Sequence, residues 1–274
     1  MGNLFRFELT RALGGVRFRI SLIVGAAISV LHCLTDVLPL VKWLDEWKGD
    51  PFAAPHSAYR HWIGMDLSTV WPVLLFMALP LLAALPAAEH DWCDRNSGYL
   101  NQIRLRCEIW QDKMAKTAAV FASAFVVTVI PLTVDFLLTS AVLPCIAPEP
   151  ASGLYSITDR SMFGALFYQF PMSYVVGYIT FDGVFIAVWT TLSLTFSRWL
   201  NQRFQVILAP FLIYLIFYFL GIWSETSNIA PMAILLPFQP IANISFGIPC
   251  AILVGLLLLL FVCYFSPWRS SDEM

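Results

Sequence analysis

Residues 115–144 read AKTAAVFASAFVVTVIPLTVDFLLTSAVLP, a run whose only charges are Lys116 at its start and Asp135 deep inside it. A helix needs about 20 mainly apolar residues to cross about 30 Å of hydrocarbon, so this run is long enough to span a membrane with residues to spare. Either part of it projects into water or it kinks at Pro131. Five further stretches qualify, at roughly 20–40, 67–88, 172–196, 204–223 and 246–266. The second contains Pro72, Pro80 and Pro86. Prolines are tolerated in membrane helices where neighbours or waters satisfy the freed carbonyls, so they predict bending rather than a failed span. The reading is an all-α membrane protein of six transmembrane helices forming one domain over 1–274.

Composition supports the same class. Across 274 residues, 59% are hydrophobic, 12% are charged and mean hydropathy is +0.73. Soluble domains carry about 25% charged residues, and half that density cannot cover a globule of this size. The formal net charge of -2 gives no reason to expect a nucleic-acid partner.

Lys and Arg accumulate in cytoplasmic loops. With the N-terminus inside, the cytoplasmic segments hold Arg6, Arg11, Arg17, Arg19, Arg95, Arg104, Arg106, Lys113, Lys116, Arg198, Arg203 and Arg269. The external segments hold only Lys42, Lys48, Arg60 and Arg160. This asymmetry predicts both termini in the cytoplasm. The basic start followed by an apolar run resembles a signal peptide, but no small-residue cleavage site follows it, so it is read as an uncleaved span. Met1-Gly2 lacks a Ser or Thr at position 6, which leaves myristoylation unsupported.

Three segments have features beyond crossing. In the N-terminal segment, Phe5, Leu9, Ala12 and Val16 share a helical face while Arg6, Thr10 and Arg17 lie on another. This predicts an amphipathic helix on the cytoplasmic surface, although a plain basic segment fixing orientation explains the arginines as well. The loop from Glu89 to Lys116 is the longest and most charged cytoplasmic segment. Asn96-Ser97-Gly98 reads as a turn, and Leu100, Ile103, Cys107, Trp110 and Met114 then recur at heptad spacing. Such a helix lies on lipid headgroups or docks in a groove of a soluble partner, and its mixed charges favour the partner. On the external side, Ser161–Pro171 and Ile229–Ala242 are apolar but too short to cross, as re-entrant or interfacial segments are.

Asp135 and Asp182 lie inside apolar runs with no basic partner in sight within a span. A charge at that depth costs at least about 2.5 kcal/mol, so each faces a bundle interior, a cavity or a partner. They suit a proton or cation site or contact with a cationic substrate, and equally a hydrogen-bonded structural role helped by Thr133 or Thr180. The cysteines at 33, 93, 107, 145, 250 and 263 have no metal-ligand spacing, and only Cys33 with Cys145 approach the same side closely enough to consider pairing. No H-E-x-x-H, G-x-S-x-G or paired histidine motif is present, so no catalytic or metal residue is named. There is also no G-x-x-x-x-G-K-[ST] loop. If ATP drives the protein, another chain supplies the nucleotide site.

In its order of features the chain resembles the ABC-2 type permease family, the membrane subunits of ATP-binding-cassette exporters. The shared layout is a cytoplasmic amphipathic N-terminal helix, six spans, a helical loop after the second span and short external segments before the sixth. Glu89, Ser97-Gly98-Tyr99-Leu100 and Lys113 stand in the order of the family's acidic residue, Gly-Thr-Leu-like turn and basic residue heading the third span, with Tyr99 in place of the usual Thr. The resemblance implies a non-enzymatic transport subunit without its own cofactor. ATP and Mg would bind a separate ATPase, and a second permease chain, identical or not, would complete the pathway in the plasma or inner membrane. A coupling helix of about 98–112 would rest in a groove of that ATPase, through Glu89, Gly98, Tyr99, Leu100, Ile103, Arg104, Arg106 and Trp110. The substrate path would run at the dimer interface beneath 229–242, with Asp135, Asp182, Phe238 and Gln239 as candidate lining residues. Small permeases of this family export peptides, antibiotics or lipids, sometimes in self-protection. The competing expectation is an ion-coupled transporter or channel using Asp135 and Asp182.

Overall fold

The computed structural model describes residues 2–44, 56–105, 107–150, 155, 157, 161–224, 229–238 and 245–265, which are helical with no strand among them. Helix α1 is Gly2–Gly14 and α2 is Val16–His32, which runs on through a π-helical turn at Cys33–Val37 and a 3₁₀ segment at Leu38–Trp43. A single turn, α3, covers Ala58–His61 and is followed by α4, Trp71–Ala84. Two short helices, α5 (His90–Asn96) and α6 (Tyr99–Arg104), lead into the long α7, Ile109–Val142. Then come α8 (Gly164–Gln169), α9 (Pro171–Thr190), α10 (Leu192–Phe196) and α11 (Arg203–Trp223). The last are α12, Pro231–Leu235, and α13, Gly247–Leu260, with a π-helical turn to Phe265.

Five of these rods are long and apolar enough to cross a membrane: Val16–Trp43, Ile109–Val142, Pro171–Phe196, Arg203–Trp223 and Gly247–Phe265. The chain is accordingly a helical membrane protein. The stretch expected as a span at 67–88 is shorter than predicted, because α4 itself ends at Ala84. Pro86 removes one backbone donor, but Leu85 and Ala88 still donate to Leu81 and Ala84 at 3.2 and 3.1 Å, so the course of the chain is kept to Ala88. Helix α7 runs unbroken through Pro131 and begins at Ile109, six residues before the expected start. At 1.5 Å per residue its 34 residues measure about 51 Å, far beyond a hydrocarbon layer, so the excess projects.

Small residues set the helix contacts. Gly25 lets α2 approach α7 so closely that a β-carbon there would meet Pro131 Cγ at 2.5 Å, and Ser29 Oγ, one turn on, donates to the Pro131 carbonyl at 2.9 Å. Gly183 admits Phe125 and Val129 of α7 against α9, and Gly221 of α11 admits Ala230. This is how membrane helices pack when no hydrophobic force separates protein from lipid. The Trp189 indole donates to the Pro210 carbonyl at 2.9 Å and ties α9 to α11.

The segment around 229–242, expected on the external side, is described from Ile229 to Phe238. Helix α12 is wholly buried there, and the hydroxyls of Tyr178 and Tyr174 donate to the carbonyls of Ile234 and Pro237 at 3.1 and 3.3 Å. Two carbonyls of this interrupted backbone are thereby satisfied by protein hydroxyls. All six cysteines are free, and Cys33 is buried while Cys145 is exposed, so that pairing is not made.

Candidate functional site

Two end regions of the bundle gather the polar side chains. At the end carrying α1, α5 and α6, the loop expected as one helix over 98–112 is instead α5, a left-handed residue at Gly98 with φ +74°, and α6, which ends at Arg104, while α7 begins at Ile109. The Asn96-Ser97-Gly98 turn is therefore present, since a left-handed residue closes α5 and favours glycine. The continuous heptad stripe is not. Trp110 belongs to the first turn of α7 and packs against Phe265, ring centroids 4.7 Å apart and planes tilted by 55°. Leu100 and Ile103 face inward on a small cleft shared with Asp91, Arg95, Asp112, Lys113 and Arg198. Ser97, Gly98, Asn101, Gln102 and Leu105 point out. Arg106 lies outside the described residues, and Arg104 closes α6.

Behind this knuckle is a buried network of charges. Lys116, 1% exposed, reaches Asp112, Asp94 and Asp91 at 3.0, 3.1 and 3.5 Å. Asp91 also accepts from Arg95 at 2.6 Å, the Ser197 hydroxyl at 2.7 Å and the Tyr264 hydroxyl at 3.1 Å. Asp94 takes Arg11 of α1 at 2.9 Å. Glu89 pairs with both Arg17 at the head of α2 and Arg203 at the head of α11. Trp92 donates to the Leu200 carbonyl at 3.0 Å. Six elements thus meet on the roots of α5. Burial alone would raise the Asp91 carboxyl, but Lys116 and Arg95, with the hydroxyls, hold it below its ordinary value.

The N-terminal helix expected on the membrane surface is present as α1. It docks through Glu8 and Ala12, both buried, while Phe5 and Phe7 are exposed and Val16 already belongs to α2. Burial pushes the Glu8 carboxyl up from 4.5 to about 7, against the pull of Arg11 at 3.7 Å and of Lys116. His90 nearby is pushed down to about 4 by burial and then by Arg11.

At the opposite end, Asp135 has the basic partner that linear reading denied it. His32 Nδ1 lies 2.7 Å from Asp135 Oδ1, and the Ile63 backbone N–H donates to Oδ2 at 2.7 Å. Both side chains are fully buried. Asp182 is equally buried, and neither of its oxygens has a hydrogen-bond partner among the described residues. It lies within electrostatic reach of Tyr174 and Tyr214 in an aromatic stretch of the core. Phe238 lines an open cleft of about 350 Å³ with Arg60, His61, Asp66 and Tyr155, and Gln239 lies outside the described residues. Asp135 and Asp182 therefore occupy separate surroundings instead of one lined path.

Of the residues expected to act in this loop, Glu89 is central to the network, whereas Lys113 sits over the Tyr264 ring at 5.7 Å and Lys116, one turn later, takes the acids. Asp91, Asp94, Asp112 and Arg11 were not anticipated as a group. Two of their contacts, Asp91 to Arg95 and Asp112 to Lys116, have the i, i+4 spacing of helical ion pairs and were legible as such. No group of three or more His, Cys, Asp or Glu side chains placed to hold a metal occurs among the described residues. Comparison with protein-family models, curated proteins and solved structures returned no match.

Proposed function

We propose that this chain is the membrane subunit of an exporter driven by a separate ATPase, with α4 as the short second of six crossings and both termini in the cytoplasm. The observation that carries this reading is the mechanical arrangement of the loop between α4 and α7. Its tip, around Ser97-Gly98 and Asn101-Gln102, is exposed, while its roots at Glu89, Asp91 and Asp94 are held by α1, α2, α7, α11 and the Ser197 and Tyr264 hydroxyls. A load applied to the tip by a soluble motor reaches those elements through short, charge-assisted contacts with little slack.

The resemblance to ABC-2 permeases supplies the rest. ATP and Mg bind the partner ATPase, two permease chains pair in the bilayer, and the substrate is a peptide, antibiotic or lipid-like molecule moved outward. Exposed apolar side chains along α11 and α13, among them Leu212, Ile216, Phe219, Val254 and Leu258, provide surface for lipid and for the second chain.

The test is co-purification with an ATP-binding-cassette ATPase, followed by simultaneous charge reversal at Arg104 and Arg106. The expected result is a several-fold loss of ATPase stimulation with the complex otherwise intact. A chain that purifies alone and transports without ATP sinks the proposal.

A further inference from the structure

The polar groups at the end opposite the charged knuckle form a ladder that leads inward. His61 and Asp66 line the open cleft, where His61 Nδ1 is 3.5 Å from Asp66 Oδ2, and His56 Nδ1 lies 3.1 Å from His61 Nε2. One tautomer satisfies the row, with His56 Nδ1–H donating to His61 and His61 Nδ1–H directed at Asp66. Asp66 is anchored in turn by the backbone N–H of Ser68 at 2.9 Å and by the Ser68 hydroxyl. The same turn that carries His61 and Asp66 presents Ile63, whose N–H donates to Asp135. Behind it lies the pair of Asp135 with His32.

That pair is incomplete. His32 Nε2 is buried with no hydrogen-bond partner among the described residues. The same is true of Thr139 Oγ1, one helical turn from Asp135, and of Trp62 Nε1, which precedes Ile63. Unpartnered buried polar atoms on three adjacent elements are a setting for ordered water, which conducts protons between titratable groups. The charges facing the pair are acidic. Asp36 of the same rod and Asp66 from the turn both act electrostatically on His32, and Cys33 is the other titratable neighbour on that rod. The turn adds His61, with Tyr59 and Arg60 beside it. Packed helix α4 carries no titratable side chain. Helix α9, across α7, carries Asp182, which is not bonded to the pair, and Tyr174 and Tyr178, whose hydroxyls are committed to carbonyls of 234–237.

We propose that His32 and Asp135 form a proton-binding site inside the membrane, loaded from the external face through His56, His61 and Asp66. The proton adds to His32 Nε2, converting the imidazole to an imidazolium against the Asp135 carboxylate, and leaves by the reverse step. The pair passes between net charge −1 and 0, so the surrounding hydrocarbon favours the loaded form. Loading from the external face follows from the orientation proposed above. The site itself does not depend on an ATPase partner.

The test uses the full chain in lipid nanodiscs and in sealed phosphatidylcholine liposomes of defined orientation, with infrared detection of ¹⁵N-labelled histidine bands across about pH 5 to about pH 8. A titrating band is expected that His32→Gln abolishes. Near-isosteric Asp135→Asn is expected to lower the proton affinity of His32 by at least about tenfold, since the facing charge is removed. After a pH jump confined to the external solution, His61→Ala is expected to slow the response by about tenfold or more while leaving the end point in place. Helix content by circular dichroism confirms that each variant is folded. A His32 that does not titrate, a titration untouched by Asp135→Asn, a response only to internal pH, or an unchanged rate in His61→Ala overturns the proposal. So does a band that moves with sodium at fixed pH, which would make the site a metal-cation site instead.

Discussion

Asp91 and Asp182 are both buried in a helical bundle, yet their surroundings are opposite. Asp91 has Lys116, Arg95, Ser197 and Tyr264 around it. Asp182 has none among the described residues. A buried charge requires pairing and additional hydrogen bonds before attraction offsets desolvation, and Asp91 receives both. Asp182 receives neither, so its site tolerates a carboxyl without being organised to stabilise a carboxylate. The comparison teaches that buried acids in this chain divide by task. Those at the knuckle fasten helices together, while deeper in the bundle Asp135 has one histidine and one backbone N–H and Asp182 has no hydrogen-bond partner among the described residues.

The largest expected effect comes from breaking the knuckle. Lys116→Met leaves Asp91, Asp94 and Asp112 without their shared cation and is expected to cost about 3–5 kcal/mol. Thermal unfolding of the full chain in detergent measures it, and a loss below about 1 kcal/mol would show that the network is not the joint described here.

Glu8 lies between the two extremes, paired only loosely. Its carboxyl is raised from 4.5 to about 7, so the stability it contributes to docking of α1 is full below about 4.5 and is lost as pH rises through about 7. Glu8→Gln removes that dependence and is expected to stabilise the chain at pH 8 by up to about 3 kcal/mol, with little effect at pH 4. Parallel unfolding curves for wild type and variant at the two pH values would contradict this.

The smallest effect is expected at Asp182. Asp182→Asn keeps the shape, loses no hydrogen bond seen in the structure and avoids an unpaired charge in hydrocarbon, so stability is expected to change by less than about 1 kcal/mol. A loss of several kcal/mol in the same unfolding assay would mean that the carboxyl has a partner of its own and would erase the contrast with Asp91.

Much of the architecture was legible in the linear chain because membrane crossing is a one-dimensional constraint. An apolar run of sufficient length has to become a helix, and five of the stretches did so within a few residues, apart from the early start of α7. The second stretch was harder to read, since its three prolines shorten the regular helix without changing its apolar character. The loop helix expected over 98–112 is too long, because the heptad stripe through Trp110 runs past the end of α6 at Arg104 and into α7, which starts at Ile109. The protein-facing side of α1 was not legible in the linear chain. Apolar side chains mark a lipid-facing surface as readily as a protein-facing one, and here the protein side is the one carrying Glu8.

By itself the sequence determined that this is a helical membrane protein, where its rods run, and that its charge is concentrated beside one loop, because hydrocarbon admits few alternatives to an apolar helix. Only the tertiary structure decided which charges meet. His32 and Asp135 are 103 positions apart and Tyr264 and Asp91 are 173 apart, separations at which no periodicity carries information. Glycine contacts, such as Gly25 against Pro131, set how closely the rods approach and so which polar side chains come within bonding distance.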